Sequence, residues 1–403
     1  MIRIAILGYG TVGVGVAELI DEGRERIAAA VGDVVEVGHI FVRRDHPGSP
    51  HEMLMTRDIG RILDDPDVAV VCEAMGGIDP ALSYVRGALE RGKHVCTSNK
   101  ELIDAHGPEL CALSKAHACS CLFEASVAGG VPILRTLRTY IAQERVSQVV
   151  GILNGTCNYI LTRMAREGLS FDAALRGAQE QGFAEQDPTA DVEGHDAARK
   201  LAILASMISG RRVAYEQIPC RGIRDVEDAD LLYARALGAS VKLLGTCEHD
   251  AGHVEVSVGP CLVMPGHPLV GVDSSFNGVM THMSGVGDLT FVGRGAGRRP
   301  TASAVLSDVI ECLRAKGHVG AGLTGVPAAS VGGPSRPMRR FLRASSDDAA
   351  RAMSALGEDA TSVRVEGVGD EMGIIAPPMT ERELDDRLRG IPGLRARMTV
   401  VES

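Results

Sequence analysis

Residues 183–200 concentrate groups that can act as acids, bases or ligands. The stretch holds five carboxylates and ends in Lys200, directly before an apolar segment. If a helix begins near Gly194, Asp196 and Lys200 lie four residues apart on one of its faces. A carboxylate beside an ammonium can bind a charged substrate and move a proton to or from it. A solvated acidic loop before a surface helix would have the same composition, so both interpretations stay open for this stretch alone.

Polar residues close to this stretch could complete a binding site. Glu185, Asp187 and Asp191 precede the predicted helix on a loop that contains a proline. Asn154-Gly155-Thr156-Cys157-Asn158 follows a predicted strand, and its side chains could hydrogen-bond the polar end of an amino acid. Asn, Gly and Thr are also favoured in turns and helix caps, which is the alternative for this cluster.

The elements that must position such a site begin with a nucleotide-binding turn. The apolar strand Ile2–Leu7 runs into Gly8-Tyr9-Gly10-Thr11-Val12-Gly13, and a helix follows. In this G-x-G-x-x-G pattern the glycines allow a tight turn, a close approach to a pyrophosphate and close packing of helix on strand. The helix N-terminus then offers free amides to the phosphates, so the pattern predicts a dinucleotide cofactor.

The second predicted strand, residues 35–42, ends in Arg43 and Arg44. A site specific for NAD usually carries an acidic residue there, which binds the ribose hydroxyls. Two guanidiniums in its place suit the 2′-phosphate of NADP, although ordinary surface arginines would look the same. We therefore expect NADP, with NAD as the alternative.

Further strands at 68–73, 94–97 and 120–123, separated by helices at 79–90 and 108–117, predict a doubly wound parallel sheet over residues 1–130. Ligands of such sheets bind beyond the carboxyl ends of the strands. Lys100 follows one of these ends, so it could contact the cofactor or the substrate.

The segment Glu124 to Pro132 leaves this sheet with one carboxylate and a run of small residues. Carbonyl and carboxylate oxygens of such a segment suit a hard cation. From the residues alone, a hinge between domains is the preferred interpretation.

An α+β domain for substrate binding and dimerisation is expected over residues 131–325, and its last part could pack back on the first domain. A second glycine-rich loop, Phe291 to Gly297, precedes a helix predicted at 302–315. Such a loop could approach a nicotinamide closely or be a tight structural turn. After a linker at 327–337, residues 336–403 alternate as βαββαβ, the order of a small ferredoxin-like module.

Composition limits the function classes. A formal net charge of −10 over 403 residues argues against a nucleic-acid partner. The chain carries no apolar window long enough to cross a bilayer and no signal peptide, so we expect a cytoplasmic protein without a membrane partner. The ten cysteines lack metal-ligand spacing, and we expect buried thiols rather than a zinc site.

Residues 1–325 resemble the homoserine dehydrogenase family. The pattern Asp-Pro-Thr-x-Asp-x-x-Gly-x-Asp-x-x-x-Lys, which ends at Lys200, is the most specific part of this resemblance. The motifs that carry it are Gly8 to Gly13, Thr97-Ser98-Asn99-Lys100, Glu124 to Pro132, Gly151 to Thr156, Glu185 to Lys200 and Gly293 to Thr301. The resemblance implies reversible, NAD(P)-dependent interconversion of L-homoserine and L-aspartate 4-semialdehyde by a homodimer or homotetramer.

The resemblance also implies roles for individual residues. Lys200 is the expected acid/base, and Lys100 is its partner at the nicotinamide end. The residues expected to bind the substrate are Glu185, Asp191, Asp196, Asn154 and Thr156. The residues expected to bind the cofactor are Gly8, Gly10, Thr11, Val12, Gly13, Arg43, Arg44, Thr97, Lys100, Glu185 and Gly295. A sodium ion is expected at Glu124, Val127, Gly129 and Val131.

The C-terminal module resembles the amino-acid-binding regulatory (ACT) domain. The Asp-x-x-Gly loop that normally follows the first strand of that domain corresponds here to residues 344–350, which contain no glycine. We therefore expect feedback inhibition by threonine to be lost or altered.

Three other functions would use part of these motifs. A Rossmann oxidoreductase for a related semialdehyde or amino acid would share the first domain but would not need the Glu185 to Lys200 stretch. A silent NADP or amino-acid sensor would be favoured by loss of Lys100 or Lys200, and both are present. A calcium loop at residues 187–195 is disfavoured because its acids lack EF-hand spacing.

Overall fold

The computed structural model describes residues 1–315 and 317–402, which form two β-sheets with helices packed on them. The first part of the chain builds a six-stranded sheet whose strands alternate with helices. Its elements are β1 (Ile2–Leu7), α1 (Thr11–Val31), β2 (Val35–Phe41), β3 (Met55–Thr56), α2 (Gly60–Leu63), β4 (Val68–Glu73), α3 (Ala81–Glu90), β5 (His94–Thr97), α4 (Lys100–Ala116) and β6 (Cys121–Leu122).

All strands of this sheet are parallel, in the order β3-β2-β1-β4-β5-β6. The prediction of a Rossmann-type, doubly wound sheet is therefore confirmed. The apolar run that predicted β1 is completely buried from Ile4 to Leu7, as expected for a strand covered on both faces. Strand order reverses between β1 and β4, and a crevice for a ligand opens at such a point. The glycine-rich turn after β1 lies at this crevice.

The middle of the chain builds the larger sheet and the helices on it. Its elements are α5 (Ile133–Ile141), β7 (Val146–Ile152), α6 (Gly155–Glu167), α7 (Phe171–Glu180), α8 (Thr189–Val192), α9 (His195–Ser209), α10 (Asp228–Ala236), β8 (Ser240–Asp250), β9 (His253–Val263), β10 (Phe276–Met283), β11 (Gly287–Arg294) and α11 (Arg298–Arg314). Helix α9 packs on β8 and β9, and its apolar run from Leu201 to Ala205 is buried on all sides of the helix. Helix α11 returns to α1, where Arg298 pairs with Glu18 at 3.2 Å and Arg299 with Glu22 at 2.7 Å.

The last part of the chain extends the larger sheet. Its elements are β12 (Ser330–Gly332), β13 (Met338–Ser345), α12 (Ser346–Leu356), β14 (Thr361–Val363), β15 (Glu371–Met379), α13 (Glu381–Arg387) and β16 (Leu394–Val401). After β12 the order is βαββαβ, and the strands lie as β16-β13-β15-β14, which is a ferredoxin-like arrangement. Strand β16 pairs in parallel with β9, so one sheet runs through both parts.

A buried arginine ties this terminal module to the middle of the chain. Arg343 of β13 is almost completely buried, and its guanidinium donates to Asp230 of α10 at 2.8 Å and to Glu227 at 2.7 Å. It also donates to Glu371 of β15. Asp230 is itself fully buried. The contact between the two parts therefore contains charges that water does not reach.

Several predicted boundaries are wrong. The helix predicted at 108–117 begins at Lys100, because the Asn99 side chain accepts from the Leu102 amide, and Pro108 lies inside the helix. From the sequence we also predict a helix from Tyr159 to Arg166, but it begins at Gly155 for the same reason, since Asn154 accepts from the Cys157 amide.

Three segments that we expected to be loops contain regular structure. The first four residues of the predicted 291–297 loop belong to β11, which pairs with β10. The predicted 327–337 linker contains β12, which pairs with β9. Asp191 lies in the short helix α8.

In residues 1–315 and 317–402, no helix is both long enough and apolar enough to cross a membrane.

Candidate active site

A cavity of about 720 Å³ opens between the carboxyl ends of the first sheet and the helices of the middle region. Both predicted lysines reach it, together with all five residues predicted to bind the substrate. The predicted residues in its wall are Val12, Lys100, Gly129, Asn154, Thr156, Glu185, Asp191, Asp196, Lys200 and Gly295. Residues that are nearly three hundred positions apart in the chain thus meet in one site.

Asp196 lies between the two lysines at the centre of this site. Its Oδ2 accepts from Lys200 Nζ at 2.7 Å, and its Oδ1 pairs with Lys100 Nζ at 3.0 Å. The Asp196 side chain is almost fully buried, whereas Lys100 is about one-third exposed. Lys200 also donates to the Leu153 carbonyl at 2.9 Å. One carboxylate therefore fixes the positions of two ammonium groups.

Asn154 connects this centre to Asp191. Its Nδ2 donates to Asp191 Oδ1 at 2.7 Å and to Asp196 Oδ2 at 2.8 Å. The same side chain caps α6 through its Oδ1. The functional interpretation of Asn154 and its alternative as a helix cap are therefore compatible, because one amide does both.

The charges of the centre shift the pKa values of its members. Burial alone would raise the pKa of Asp196, but Lys200 and Lys100 outweigh it and hold this pKa well below the usual range. The Asp196 charge raises the pKa of Lys100, although burial opposes it. Burial raises the pKa of Asp191, and the charge of Asp196 adds to that rise. The site therefore holds ionised Asp196 beside Asp191, which forms no ion pair within residues 1–315 and 317–402.

The remaining predicted substrate residues have different surroundings. Glu185 is exposed in the wall of the cavity, on the loop between α7 and α8. The Thr156 hydroxyl donates to the Phe183 carbonyl at 2.7 Å, which ties α6 to that loop. Gly295 lies in the wall opposite, and a Cβ there would lie 2.0 Å from the side-chain oxygen of Asn277. Asn277 in turn donates to the carbonyl of Leu153.

Thr97 does not line the cavity. It is completely buried, its hydroxyl donates to Glu73 at 2.5 Å, and it accepts from the Asn99 amide at 2.9 Å. Glu73 also accepts from the Met75 amide, and Asn99 donates to the Gly77 carbonyl. This network holds the turn after β4 against the start of α4, and thereby positions Lys100. A cofactor contact of Thr97 stays a prediction.

Three charged residues in or next to the site were not singled out from the sequence. Arg199 lies in the cavity wall, pairs with Glu101 at 3.0 Å and stacks on the Tyr215 ring at 4.7 Å. Glu101 and Arg199 directly follow and precede Lys100 and Lys200 in the chain, so their ion pair links the two lysine-bearing helices. Glu73 was missed as well, although a carboxylate closing an apolar strand was a signal for it.

The start of α1 fits a cofactor phosphate. The helix has neither a side-chain cap nor an acidic residue in its first turn. A Cβ added at Gly10 would meet no atom within 4 Å, so the approach is open there. A Cβ at Gly13 would lie 1.9 Å from the Gly8 carbonyl oxygen, which explains the third glycine as a packing requirement. Uncapped amides at an open helix start suit a pyrophosphate.

The segment predicted to hold sodium is packed against the cavity. Glu124 is buried, and its two carboxylate oxygens accept from the Leu134 and Arg135 amides at 3.0 and 2.6 Å, so it caps α5. Gly129 and its neighbour Ala128 both have φ near +55°. Among the residues that the structure describes, no cluster of three or more His, Cys, Asp or Glu is arranged to hold a metal ion. Any cation here would depend on backbone carbonyls, such as those of Val127, Gly129 and Val131.

Two family models match the chain. One is described as homoserine dehydrogenase and matches residues 132–310, and the other, its NAD-binding domain, matches residues 8–124. The chain is similar to the homoserine dehydrogenase of Bacillus subtilis, with 42% identity over 317 residues that span 78% of this chain and 73% of the relative.

Solved structures agree with these matches. A homoserine dehydrogenase from Thiobacillus denitrificans superimposes with a TM-score of 0.87 at 29% identity, covering 100% of this chain and 98% of that one. A hyperthermophilic archaeal homoserine dehydrogenase in complex with NADPH gives a TM-score of 0.66 at 26% identity, covering 77% of this chain and 97% of that one.

Proposed function

This chain belongs to the homoserine dehydrogenase family, and we propose from its site how it catalyses the reaction of that family. The protein is an oxidoreductase that uses a nicotinamide cofactor to interconvert L-homoserine and L-aspartate 4-semialdehyde. The observation that carries the proposed mechanism is the single carboxylate, Asp196, held between Lys100 and Lys200.

Lys200 is the proposed acid/base. An ammonium has three N–H donors, and Lys200 gives one to Asp196 and one to the Leu153 carbonyl. The third remains for a substrate oxygen in the cavity. The cofactor supplies or accepts hydride, and negative charge then develops on the substrate oxygen during reduction. A neighbouring ammonium stabilises that charge and donates the proton.

Lys100 and the carboxylates complete the proposed site. Lys100 adds a second positive charge at the nicotinamide end, and Asp196 keeps both ammonium groups in place. The substrate carries an α-ammonium, which needs an anionic partner. Asp191 and Glu185 are the candidates, since Asp191 forms no ion pair in the part of the chain that the structure describes and Glu185 is exposed in the cavity wall.

We propose NADP as the preferred cofactor. Arg43 and Arg44 are exposed at the end of β2, and neither forms an ion pair with any residue that the structure describes. Two uncompensated guanidiniums suit a 2′-phosphate. The NADPH in the archaeal relative supports the same cofactor class.

A sodium ion and a homo-oligomer remain proposals as well. Ala128 and Gly129 have a left-handed backbone conformation that turns successive carbonyls of their segment, which suits an oxygen-coordinated cation.

The proposed homo-oligomer would cover apolar side chains of the β10–β11 hairpin. Phe276, Val286 and Val292 are 38%, 47% and 53% exposed there, which favours a partner that covers them. Light scattering that gives a monomer would contradict the homodimer or homotetramer.

The test of the mechanism is oxidation of NADPH, and separately of NADH, with L-aspartate 4-semialdehyde. We expect Lys200→Ala to lower kcat by about a hundredfold or more, the usual contribution of a positioned acid. Lys115→Ala, an exposed lysine in the last turn of α4, is the matched control and should retain full activity. Full activity of a folded Lys200→Ala protein would refute the role of Lys200, and faster turnover with NADH would refute the cofactor preference.

A further inference from the structure

Tyr9 links the glycine-rich turn to the loop that follows β2. It is the second residue of that turn, and only 9% of it is exposed. Its hydroxyl lies 2.8 Å from His51 Nδ1 and 2.9 Å from Ser49 Oγ. Its ring packs edge-on against His46, with 5.3 Å between the ring centres. The glycine-rich turn and the loop after β2 therefore meet at one phenol.

His51 extends this contact to helix α1. Its Nε2 lies 2.8 Å from Asp21 Oδ2, and the His51 ring is buried. With Nε2 donating to the carboxylate, Nδ1 accepts from the Tyr9 hydroxyl, and the Tyr9 oxygen accepts from Ser49. Each polar atom of the chain Ser49–Tyr9–His51–Asp21 then has a partner. A satisfied network whose central members, Tyr9 and His51, are buried holds these residues in one arrangement.

The loop at residues 43–51 needs such an attachment. It begins with the exposed Arg43 and Arg44, and apart from the His51–Asp21 contact its one ion pair within the described chain joins Asp45 to Arg57 at the surface. Exposed pairs contribute little to stability. The buried hydrogen bonds of Tyr9 and His51 are thus the main side-chain contacts between this loop and the turn that faces the pyrophosphate.

We propose that Tyr9 and His51 are positioning residues for cofactor selection, which hold the 43–51 loop so that Arg43 and Arg44 meet the 2′-phosphate. This inference rests on the proposed preference for NADP. It adds that the preference depends on two residues that carry no charge toward the phosphate. Their contribution is preorganisation, because a fixed loop loses less conformational entropy when the ligand binds.

The test measures binding to the full-length protein by calorimetry, with 2′,5′-ADP and 5′-AMP as probes. These ligands differ by the 2′-phosphate alone and require no turnover. For Tyr9→Phe we expect a Kd for 2′,5′-ADP about three- to tenfold higher, the usual effect of one hydrogen bond. The Kd for 5′-AMP should stay within about twofold, because the pyrophosphate contact at α1 is intact. Tyr84→Phe is the control, since that ring packs edge-on against Phe41 of β2 without a hydroxyl partner in the described chain.

A second variant separates positioning from general damage. His51→Ala should weaken 2′,5′-ADP binding as well, and the double variant should be no weaker than His51→Ala alone, because both changes break the same contact. Equal weakening of both probes by Tyr9→Phe, or no weakening of either, would overturn the inference. Wild-type protein that binds the two probes equally would overturn the NADP preference and this inference together. A ratio of the two Kd values that is unchanged in Tyr9→Phe would overturn this inference alone.

Discussion

Replacing Asp196 by Asn tests the central feature of the site, because the change keeps the shape and removes the charge. Asp196 accepts from Lys200, Asn154 and Lys100 at 2.7 to 3.0 Å in a buried position. Without it, two ammonium groups face each other with no anion between them. Removing one partner of a buried ion pair costs about 3–5 kcal/mol. Lys100 is partly exposed, so we expect the lower end, about 3 kcal/mol of unfolding free energy.

The same substitution should change the pH dependence of catalysis. The charge of Asp196 raises the pKa of Lys100, and burial acts in the opposite direction. In Asp196→Asn the largest cause of this rise is lost, and only the weaker charges of Glu101 and Asp191 still oppose burial, so the pKa of Lys100 should fall. We expect kcat/KM for homoserine oxidation to drop about a hundredfold, with its profile between about pH 6 and 10 shifted toward lower pH.

The free energies of unfolding of wild type and Asp196→Asn should be compared near pH 7, because the pKa shifts of both Asp196 and Lys100 stabilise the fold there. Because the pKa of Asp196 is lower in the folded protein, its ionised carboxylate stabilises the fold fully above the unfolded pKa of 3.8. This contribution is lost as pH falls from there through the folded pKa. Because the pKa of Lys100 is higher in the folded protein, its ammonium stabilises the fold fully below the unfolded pKa of 10.5. This contribution is lost as pH rises through the folded pKa. Both contributions are complete at pH 7, and both disappear in the variant.

Asp187→Asn is the matched control for this experiment. Asp187 lies in the same cavity wall, but it is exposed and its carboxylate accepts from Thr189. It should leave the melting temperature unchanged and should not shift the pH profile. If Asp196→Asn also retains activity within about threefold and the same pH profile, the two lysines do not depend on the shared carboxylate and the reasoning fails. Adding Lys100→Met to Asp196→Asn should recover part of the lost stability, since it removes an uncompensated charge.

Two further predictions follow from buried and backbone groups. Burial and the charge of Glu216 raise the pKa of Asp104 to about 6. The ionised form of Asp104 therefore destabilises the fold above that pH, and this cost disappears as pH falls toward 4. We expect Asp104→Asn to raise the free energy of unfolding by about 1 kcal/mol at pH 8 and to leave it unchanged at pH 4, as measured by denaturant unfolding. Equal stability of Asp104→Asn and wild type at pH 8 would contradict this. Gly10→Ala should keep the melting temperature but weaken NADPH binding about tenfold or more, because its added methyl group points into open space at the phosphate-facing start of α1. Gly13→Ala should instead lower the melting temperature, because its Cβ would overlap the Gly8 carbonyl oxygen; thermal melts and NADPH titration of both variants distinguish the two roles.

The sequence predicted the first sheet well because its signals are local. The apolar run of β1 and the glycines after it lie within a few residues of each other. The spacing of Asp196 and Lys200 on α9 is a local signal of the same kind. Helix starts were less accurate, since capping by Asn99 and Asn154 competes with ordinary turn preferences of the same residues. Pro108 suggested a helix start, yet it lies inside α4.

The contacts of the site could not be read from the sequence. Asn154 and Asp196 are 42 positions apart, and Tyr9 and His51 are 42 positions apart as well. Such pairs depend on how strands and helices pack, which spacing does not encode. The resemblance supplied Lys100 as a partner of Lys200, but only the fold indicates that one carboxylate serves both. Arg199 escaped notice because an arginine before a lysine on a helix has no distinctive pattern.

The buried arginine between the last module and α10 limits how the chain can be re-engineered. Arg343 serves Asp230 and Glu227 of the middle region and Glu371 of its own module. A chain that ends before β13 would leave Asp230 buried without that cation, and burial already raises the pKa of this carboxyl. The module therefore cannot be exchanged as an independent cassette. A graft from a relative would need a guanidinium at the position of Arg343, or an apolar residue there together with an uncharged residue at 230.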